Sequence, residues 1–406
     1  MRTAGIICEY NPFHSGHKRQ IDILRSMGYD CIICVMSGNY TQRGEIAIFD
    51  KYTRAEGAIY GGADLVVELP FPYSSFSAEG FANAGVHILA SLGVDAISFG
   101  SECGNVSILK QASDAVTSPE FATVYNDLQC GGIGSASAYF EAIRRLCGKD
   151  IFLLSNDILG ISYVAAIRKL NAKLDIIPIK REGAAYNDKD LHSGEFPSAS
   201  AIREKLKYSN DDIEKVFSSH IPEISLKALV RAKSNGLGPV FVDNAEKEIL
   251  SFFKLMAPAE ITSRATMRSC GGKHIAEDGC GILERVCRAA KNSNTIGEFL
   301  DASYNSKYTD ARINRVILFS ILGVSDKLTH SLPEYTVLLG ASECGRNFLS
   351  NVRKTSLINI VTKPADAPES SVQRMIGESA DIFYALAFPQ NKAQDHFIKS
   401  HPFMQK

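Results

Sequence analysis

Five short, nearly continuous apolar runs alternate with helical stretches through the first half of this chain, and that alternation restricts it to one class of fold. The runs are Thr3–Cys8, Cys31–Met36, Asp64–Leu69, Val94–Phe99 and Leu174–Ile179. Between them, apolar residues recur at helical spacing over Ser15–Met27, Lys51–Tyr60, Phe76–Leu92, Ala138–Cys147 and Ile158–Leu170. Gly28, the Gly61-Gly62 pair and Gly93 stand where helices stop. Strands that are apolar throughout, rather than on alternate residues, must be covered on both faces. The expectation is an α/β fold with a parallel sheet between two helical layers. In such sheets ligands bind beyond the carboxyl ends of the strands.

Past residue 210 the strand pattern disappears. Asp211–Phe217, Ser225–Ala232, Ala245–Phe253, Gly281–Ala290, Thr295–Ala302, Thr309–Leu322 and Glu343–Val352 read as helices. The chain of 406 residues is long enough for two such units. We expect an α/β domain over residues 1–208 and a mostly α-helical domain over 209–406, with 181–197 a loop near the exit of the first. No internal repeat or low-complexity linker is evident.

With 45% hydrophobic and 22% charged residues, the balance is that of an ordinary globular protein. No apolar run approaches the ~20 residues of a membrane span, and the opening residues do not show the basic and apolar regions of a signal peptide. A cytoplasmic location and no membrane association are therefore expected, and no protein partner is implied. The ten cysteines read as reduced packing thiols. Cys31 and Cys34 fall on opposite faces of a strand, and Cys280 and Cys287 lie two helical turns apart among apolar neighbours, so no metal site is read. Net charge is −1, but residues 1–205 hold 19 basic against 23 acidic groups and residues 206–406 hold 25 against 22. Any electrostatic nucleic-acid surface belongs to the second half.

The chemistry concentrates at the start. Gly5-Ile6-Ile7-Cys8-Glu9-Tyr10-Asn11-Pro12-Phe13-His14-Ser15-Gly16-His17-Lys18 is a strand, a tight turn and a helix N-terminus carrying two imidazoles. Free N–H groups of a first helical turn attract anions, and Gly16 allows a flat ring to approach the backbone. A second helix start, Pro197-Ser198-Ala199-Ser200-Ala201-Ile202-Arg203, offers hydroxyls and a guanidinium, the elements of a phosphate clamp. Gly100 directly follows the fourth strand, Asn156 precedes a helix, and Lys180-Arg181 ends the fifth strand. By themselves these last three are equally a turn, a helix cap and solvated surface. Arg43, Lys51 and Arg54, near strand ends, are open to two readings, a small-anion pocket or structural ion pairs.

His14-Ser15-Gly16-His17 with Ser198-Ala199-Ser200-Ala201-Ile202-Arg203 resembles the two nucleotide motifs of the adenylyl- and cytidylyltransferase superfamily. A narrower similarity follows from Glu9-Tyr10-Asn11-Pro12-Phe13-His14, Gly38-Asn39-Tyr40-Thr41-Gln42-Arg43-Gly44 and Gly62-Ala63-Asp64-Leu65-Val66-Val67-Glu68-Leu69-Pro70. With Phe99-Gly100-Ser101-Glu102, Asn156-Asp157-Ile158-Leu159-Gly160 and the helix Thr309-Asp310-Ala311-Arg312-Ile313-Asn314-Arg315, these strings resemble the bacterial tRNA(Met) cytidine acetate ligase family over nearly the full length. The resemblance implies a Rossmann-like nucleotidyltransferase domain followed by a helical, tRNA-binding domain. It implies formation of N4-acetylcytidine at the wobble base of elongator tRNA(Met) from acetate and ATP, with Mg²⁺ expected alongside ATP. It places ATP on Ile7, Cys8, Glu9, Tyr10, Asn11, Pro12, Phe13, His14, Ser15, Gly16, His17, Lys18, Gly100, Asn156 and Arg181, with His14 and His17 catalytic. Ser198, Ser200 and Arg203 would hold the outer phosphates. Ser15 stands where relatives often carry Asn, a change expected at a solvent-facing position, and Ser200 where many carry Thr.

Two rival readings remain, a small-molecule adenylyltransferase and a non-catalytic RNA-binding protein. The helical second half argues against the first and the intact motifs against the second. For the tRNA surface we expect two basic ridges, Arg285, Arg288 and Lys291 on one helix and Arg312 and Arg315 on another, the latter beside an inward stripe of Ile313, Val316, Ile317 and Ser320.

Overall fold

The computed structural model describes the chain apart from residues 132, 134, 149–154, 181–198, 209–212, 280, 391–394 and 406. All five expected strands form: β1 Thr3–Cys8, β2 Cys31–Ser37, β3 Leu65–Leu69, β4 Ala96–Ser101 and β5 Asp175–Lys180. They pair in parallel in the spatial order β5-β4-β1-β2-β3. The order reverses between β1 and β4, so the crevice beyond their carboxyl ends is where such a sheet takes a ligand. Alternate residues of β2 enter opposite layers: Cys31, Ile33 and Val35 pack in one core, and Ile32, Cys34 and Met36 in the other. The sheet is covered on both faces, and the two cysteines of Cys31–Cys34 are separated by it.

The second half is mostly helical but not separate from this sheet. Three strands within residues 209–406 were not expected: β6 Tyr335–Ala341, β7 Asn359–Val361 and β8 Phe403–Met404. β6 pairs antiparallel with β3, and β7 and β8 pair with β6, which makes an eight-stranded mixed sheet. A boundary at residue 208 therefore divides the chain but not the sheet. Helices Val106–Thr117, Pro119–Cys130, Pro258–Arg268 and Val372–Leu386 are likewise additional. No helix among the described residues is long and apolar enough to cross a membrane.

Two buried cations fasten the loops beyond the strands. Arg54, on the helix Lys51–Tyr60, is 1% exposed. Its Nε donates to Phe49 O at 2.8 Å, Nη1 to Glu9 O at 2.5 Å, and Nη2 to Ser37 O at 3.1 Å and to Gly38 O. Lys51 Nζ lies 3.0 Å from Glu68 and 2.8 Å from Asp381. Burial works against its charge, but the two carboxylates overcome that and hold its pKa above the usual lysine range. Of the two readings offered, Lys51 fits the structural ion pair, whereas Arg54 is held by backbone carbonyls rather than by a carboxylate.

Candidate active site

The helix Ser15–Ser26 starts on an interlocked pair of histidines. His14 is the N-cap, and its Nδ1 accepts the Gly16 N–H at 3.1 Å. His17 Nδ1 accepts the His14 N–H at 3.3 Å. The two rings stack at 3.7 Å between centroids, and Tyr10 packs against His17 at 4.7 Å. A ring nitrogen that accepts a backbone N–H carries no proton of its own. With Nδ1 accepting, each ring presents Nε2 as its hydrogen-bond donor at a helix N-terminus.

The turn before them is held from below. Asn11 Oδ1 accepts the Ile48 N–H at 2.9 Å, and Phe13, 3% exposed, packs against Gly61, where any Cβ would meet its ring at 2.2 Å. Ser15 was expected to face solvent, but its hydroxyl donates to His220 O at 2.7 Å. It pins the histidine turn to the second half of the chain. Lys18 pairs with Asp22 at 2.8 Å.

Above this turn opens a cleft of about 1350 Å³. From the first motif its walls take Ile7, Cys8, Glu9, Tyr10, Asn11, Gly16 and both histidines, whereas Pro12, Phe13, Ser15 and Lys18 are not among the lining residues. Gly100, Asn156 and Arg203 line the same cleft, so motifs ~180 residues apart in sequence converge, as strand order requires. Arg203 Nη1 donates to Asn11 O at 3.1 Å and its Nη2 to Ser200 Oγ at 3.1 Å. Arg181 and Ser198 lie outside the described residues, as do Cys280 and the stretch 181–197; Lys180, beside them, lines the cleft. Asn156 is oriented by Glu102, whose Oε1 accepts its side-chain N–H at 2.5 Å. The Glu9 carboxylate accepts the Gln42 N–H at 2.9 Å, and burial lifts its pKa above the usual carboxylate range.

The remaining basic residues divide. Arg288 and Lys291 are exposed on the helix Ile282–Lys291, but Arg285 donates to Ser303 O and Tyr304 O, both at 2.7 Å. On the helix Asp310–Leu322, Ile313, Val316, Ile317 and Ser320 are buried as expected. The ridge beside them is not there. Arg312 donates to Glu277 O at 3.0 Å and packs on Tyr308 at 5.0 Å, and Arg315 is 7% exposed and lines the cleft. Equal angular position on a helix does not mean equal exposure, because the strand-end loops of the first half lie against one side of this helix. Gln42 and Arg43 also line the cleft, and no periodicity marked Gln42.

Among the described residues one cluster has metal-ligand types close together, Cys31, Asp64 and Cys344, with ligand atoms within 4.8 Å of one another. Asp64 is already engaged there by Arg25, the Ile32 N–H at 2.8 Å and the Ser342 hydroxyl at 2.9 Å. Burial and then the Asp64 charge push the Cys31 thiol well up. These groups act as packing around a structural carboxylate.

A family model described as HIGH Nucleotidyl Transferase matches residues 1–397. A tRNA(Met) cytidine acetate ligase from Caldanaerobacter subterraneus subsp. tengcongensis is 32% identical over 419 aligned residues, covering 100% of both chains. One from Acetivibrio thermocellus is 34% identical over 381, covering 90% of this chain and 89% of its own. The crystal structure of apo Thermotoga maritima TmcAL superposes with a TM-score of 0.87 at 30% identity, over 100% of this chain and 99% of that one. The same protein bound with alpha-thio ATP gives 0.86 at 29% identity, with the same coverage. This chain belongs to the HIGH nucleotidyl transferase family, in the branch whose members are named tRNA(Met) cytidine acetate ligase.

Proposed function

We propose that this protein activates acetate with ATP and transfers the acetyl group to the N4 amine of the wobble cytidine of elongator tRNA(Met). The observation that carries the reading is the convergence, in one cleft at the switch point of the sheet, of two helix-start histidines and Arg203, whose Nη2 donates to Ser200 Oγ. Full-length relatives that bear the ligase name support it.

In the first step an acetate oxygen attacks the α-phosphorus, the Pα–O–Pβ bond breaks, and pyrophosphate leaves acetyl-adenylate behind. Such a step depends on in-line placement and charge stabilisation rather than on a covalent catalyst. The Nε2–H groups of His14 and His17, with the first-turn N–H groups, serve as fixed donors to the reacting phosphate oxygens. Arg203, with Ser200 and Ser198, holds the outer phosphates, and Asn156, Gly100 and Arg181 hold the nucleoside. Magnesium enters with the substrate as MgATP. In the second step the cytidine N4 lone pair attacks the acetyl carbon, the acyl–phosphate bond breaks, AMP leaves, and the amine proton passes to solvent. Arg288 and Lys291 contribute to the tRNA surface, and a tRNA substrate makes the cytoplasm the compartment of the reaction.

The test is to supply ATP, radiolabelled acetate and bulk bacterial tRNA. Acetate-dependent ATP–pyrophosphate exchange and label in tRNA are expected. Exchange without acetate, or label in a small-molecule acceptor, would overturn the reading.

A further inference from the structure

The acetate pocket has no sequence signature, but the cleft contains a cation that neither nucleotide motif uses. Arg315 comes from the second half, on the helix Asp310–Leu322, and lines the cleft beside Gln42 and Ser77. Glu277 orients it from behind: Glu277 Oε2 accepts from Nη2 at 2.8 Å, and Oε1 accepts the Ser77 N–H at 2.8 Å. The rest of the guanidinium is poorly satisfied. Nη1 reaches Gln42 O only at 3.4 Å, and Nε, buried, has no hydrogen-bond partner among the described residues.

Arg54 shows what a purely structural arginine looks like in this protein. It too is buried, and each of its nitrogens donates to a carbonyl, the Nε at 2.8 Å. Arg315 lines the cleft and departs from that pattern, with Nε unpartnered and Nη1 held only at 3.4 Å. A buried donor without a partner costs stability unless something else supplies the acceptor. The Gln42 peptide ties this position to the histidine strand, because its carbonyl faces Arg315 while its N–H holds Glu9 at the end of β1.

We propose that Arg315 receives the carboxylate of acetate. A planar guanidinium suits a carboxylate better than any other side chain does, through paired N–H···O bonds. Arg203 is already committed to the motif that clamps phosphates, so the two arginines divide the anions of the reaction between them. The second half of the chain then supplies part of the chemical site as well as the tRNA surface.

The inference rests on the acetate-ligase reading, and the experiment separates the two. Acetate-dependent ATP–pyrophosphate exchange is measured with full-length wild type, Arg315→Lys and Arg315→Gln, varying acetate and ATP independently. Wild type without acetate-dependent exchange would sink the reading itself. Given wild-type exchange, Arg315→Lys should raise the KM for acetate about 10- to 100-fold, the loss expected for charge-assisted hydrogen bonds, with the KM for ATP within twofold. The lysine variant keeps a cation beside Glu277, so it preserves the fold if the glutamine variant does not. An unchanged acetate KM overturns the inference, and so does an equal rise for ATP, which would put Arg315 on a phosphate. A rise confined to the KM for tRNA in the transfer assay would make it an RNA contact instead.

Discussion

Gly44 is where the first half of the chain touches the helix that carries Arg315, and replacing it tests that contact without altering any charged group. Its φ is +73°, and a Cβ there would lie 2.7 Å from Arg315 N, 2.9 Å from Asn314 C and 3.0 Å from Arg315 Cα. All three neighbours are backbone, so no side chain can rotate away. Gly93 provides the internal control, since its φ is +69° but a Cβ would meet nothing within 4 Å. The left-handed backbone costs an L-residue about 1–2 kcal/mol, and both alanine variants should show that loss. Gly44→Ala adds overpacking of about 1–3 kcal/mol, for a total of roughly 2–5 kcal/mol. To restore ordinary carbon contacts of about 3.5–4.0 Å, the turn and the helix must separate by roughly 1 Å, and misplacement on that scale can cost about 10²-fold in rate. The assay is urea unfolding of both variants alongside acetate-dependent pyrophosphate exchange. Gly93→Ala should lose stability but keep its exchange rate, whereas Gly44→Ala should lose more stability and most of its exchange. If Gly44→Ala is no less stable than Gly93→Ala, or exchanges at the wild-type rate, the turn is not pressed against the helix as described.

Other expectations follow from single groups. His14→Asn keeps an N-cap acceptor for the Gly16 N–H but lacks the Nε2 donor, so exchange should fall about 10²–10³-fold with stability within ~1 kcal/mol; a rate within threefold of wild type would remove His14 from the chemistry. Burial raises the folded-state pKa of Glu9, so the fold favours its protonated form, and the stability this gives is lost as pH rises from the ordinary carboxylate value through the folded one. Glu9→Gln should therefore be more stable than wild type at neutral pH, the gap closing in acid; a gap independent of pH would contradict this. Lys51→Met leaves the buried Glu68 and the half-buried Asp381 without their cation and should cost about 3–5 kcal/mol in urea unfolding; a loss under 1 kcal/mol would mean that water reaches the carboxylates.

What the sequence made legible was local. His14 and His17 announce themselves because a strand, a Pro turn and a helix start lie within a few residues, and the strand-end rule then brings Arg203 and Gly100 to the same crevice. The role of Ser15 could not be read, because its acceptor, His220, is 205 residues away. Arg315 was misplaced for a similar reason. Helical spacing put it beside Arg312 but gave no sign that Glu277, at φ +66°, would turn back to meet it. β6 escaped notice because its run, Tyr335–Ala341, stands alone among helices and pairs with a strand from the opposite half. Lys51 was correctly offered as a structural pair, but Asp381, which decides the matter, is 330 residues on, and Arg54 was offered the same role but is held by carbonyls alone.

That last separation has a consequence for the newborn chain. Tyr40 donates to Ala380 O at 2.9 Å, Tyr384 to Ala47 O at 2.8 Å, and Lys51 meets Asp381 on the same C-terminal helix. At about 5–20 residues per second of synthesis, the loop that carries Gln42 waits roughly 15–65 s between leaving the ribosome and meeting the helix that holds it. During that interval Glu68 and Lys51 have one another but not the second carboxylate, and the edge of β3 stands open where β6 will pair. The half that carries both histidines is thus made first and completed last. A chain stalled before residue 335 would carry both histidines and Arg203 while exposing an apolar strand edge, a target for chaperones rather than for ATP.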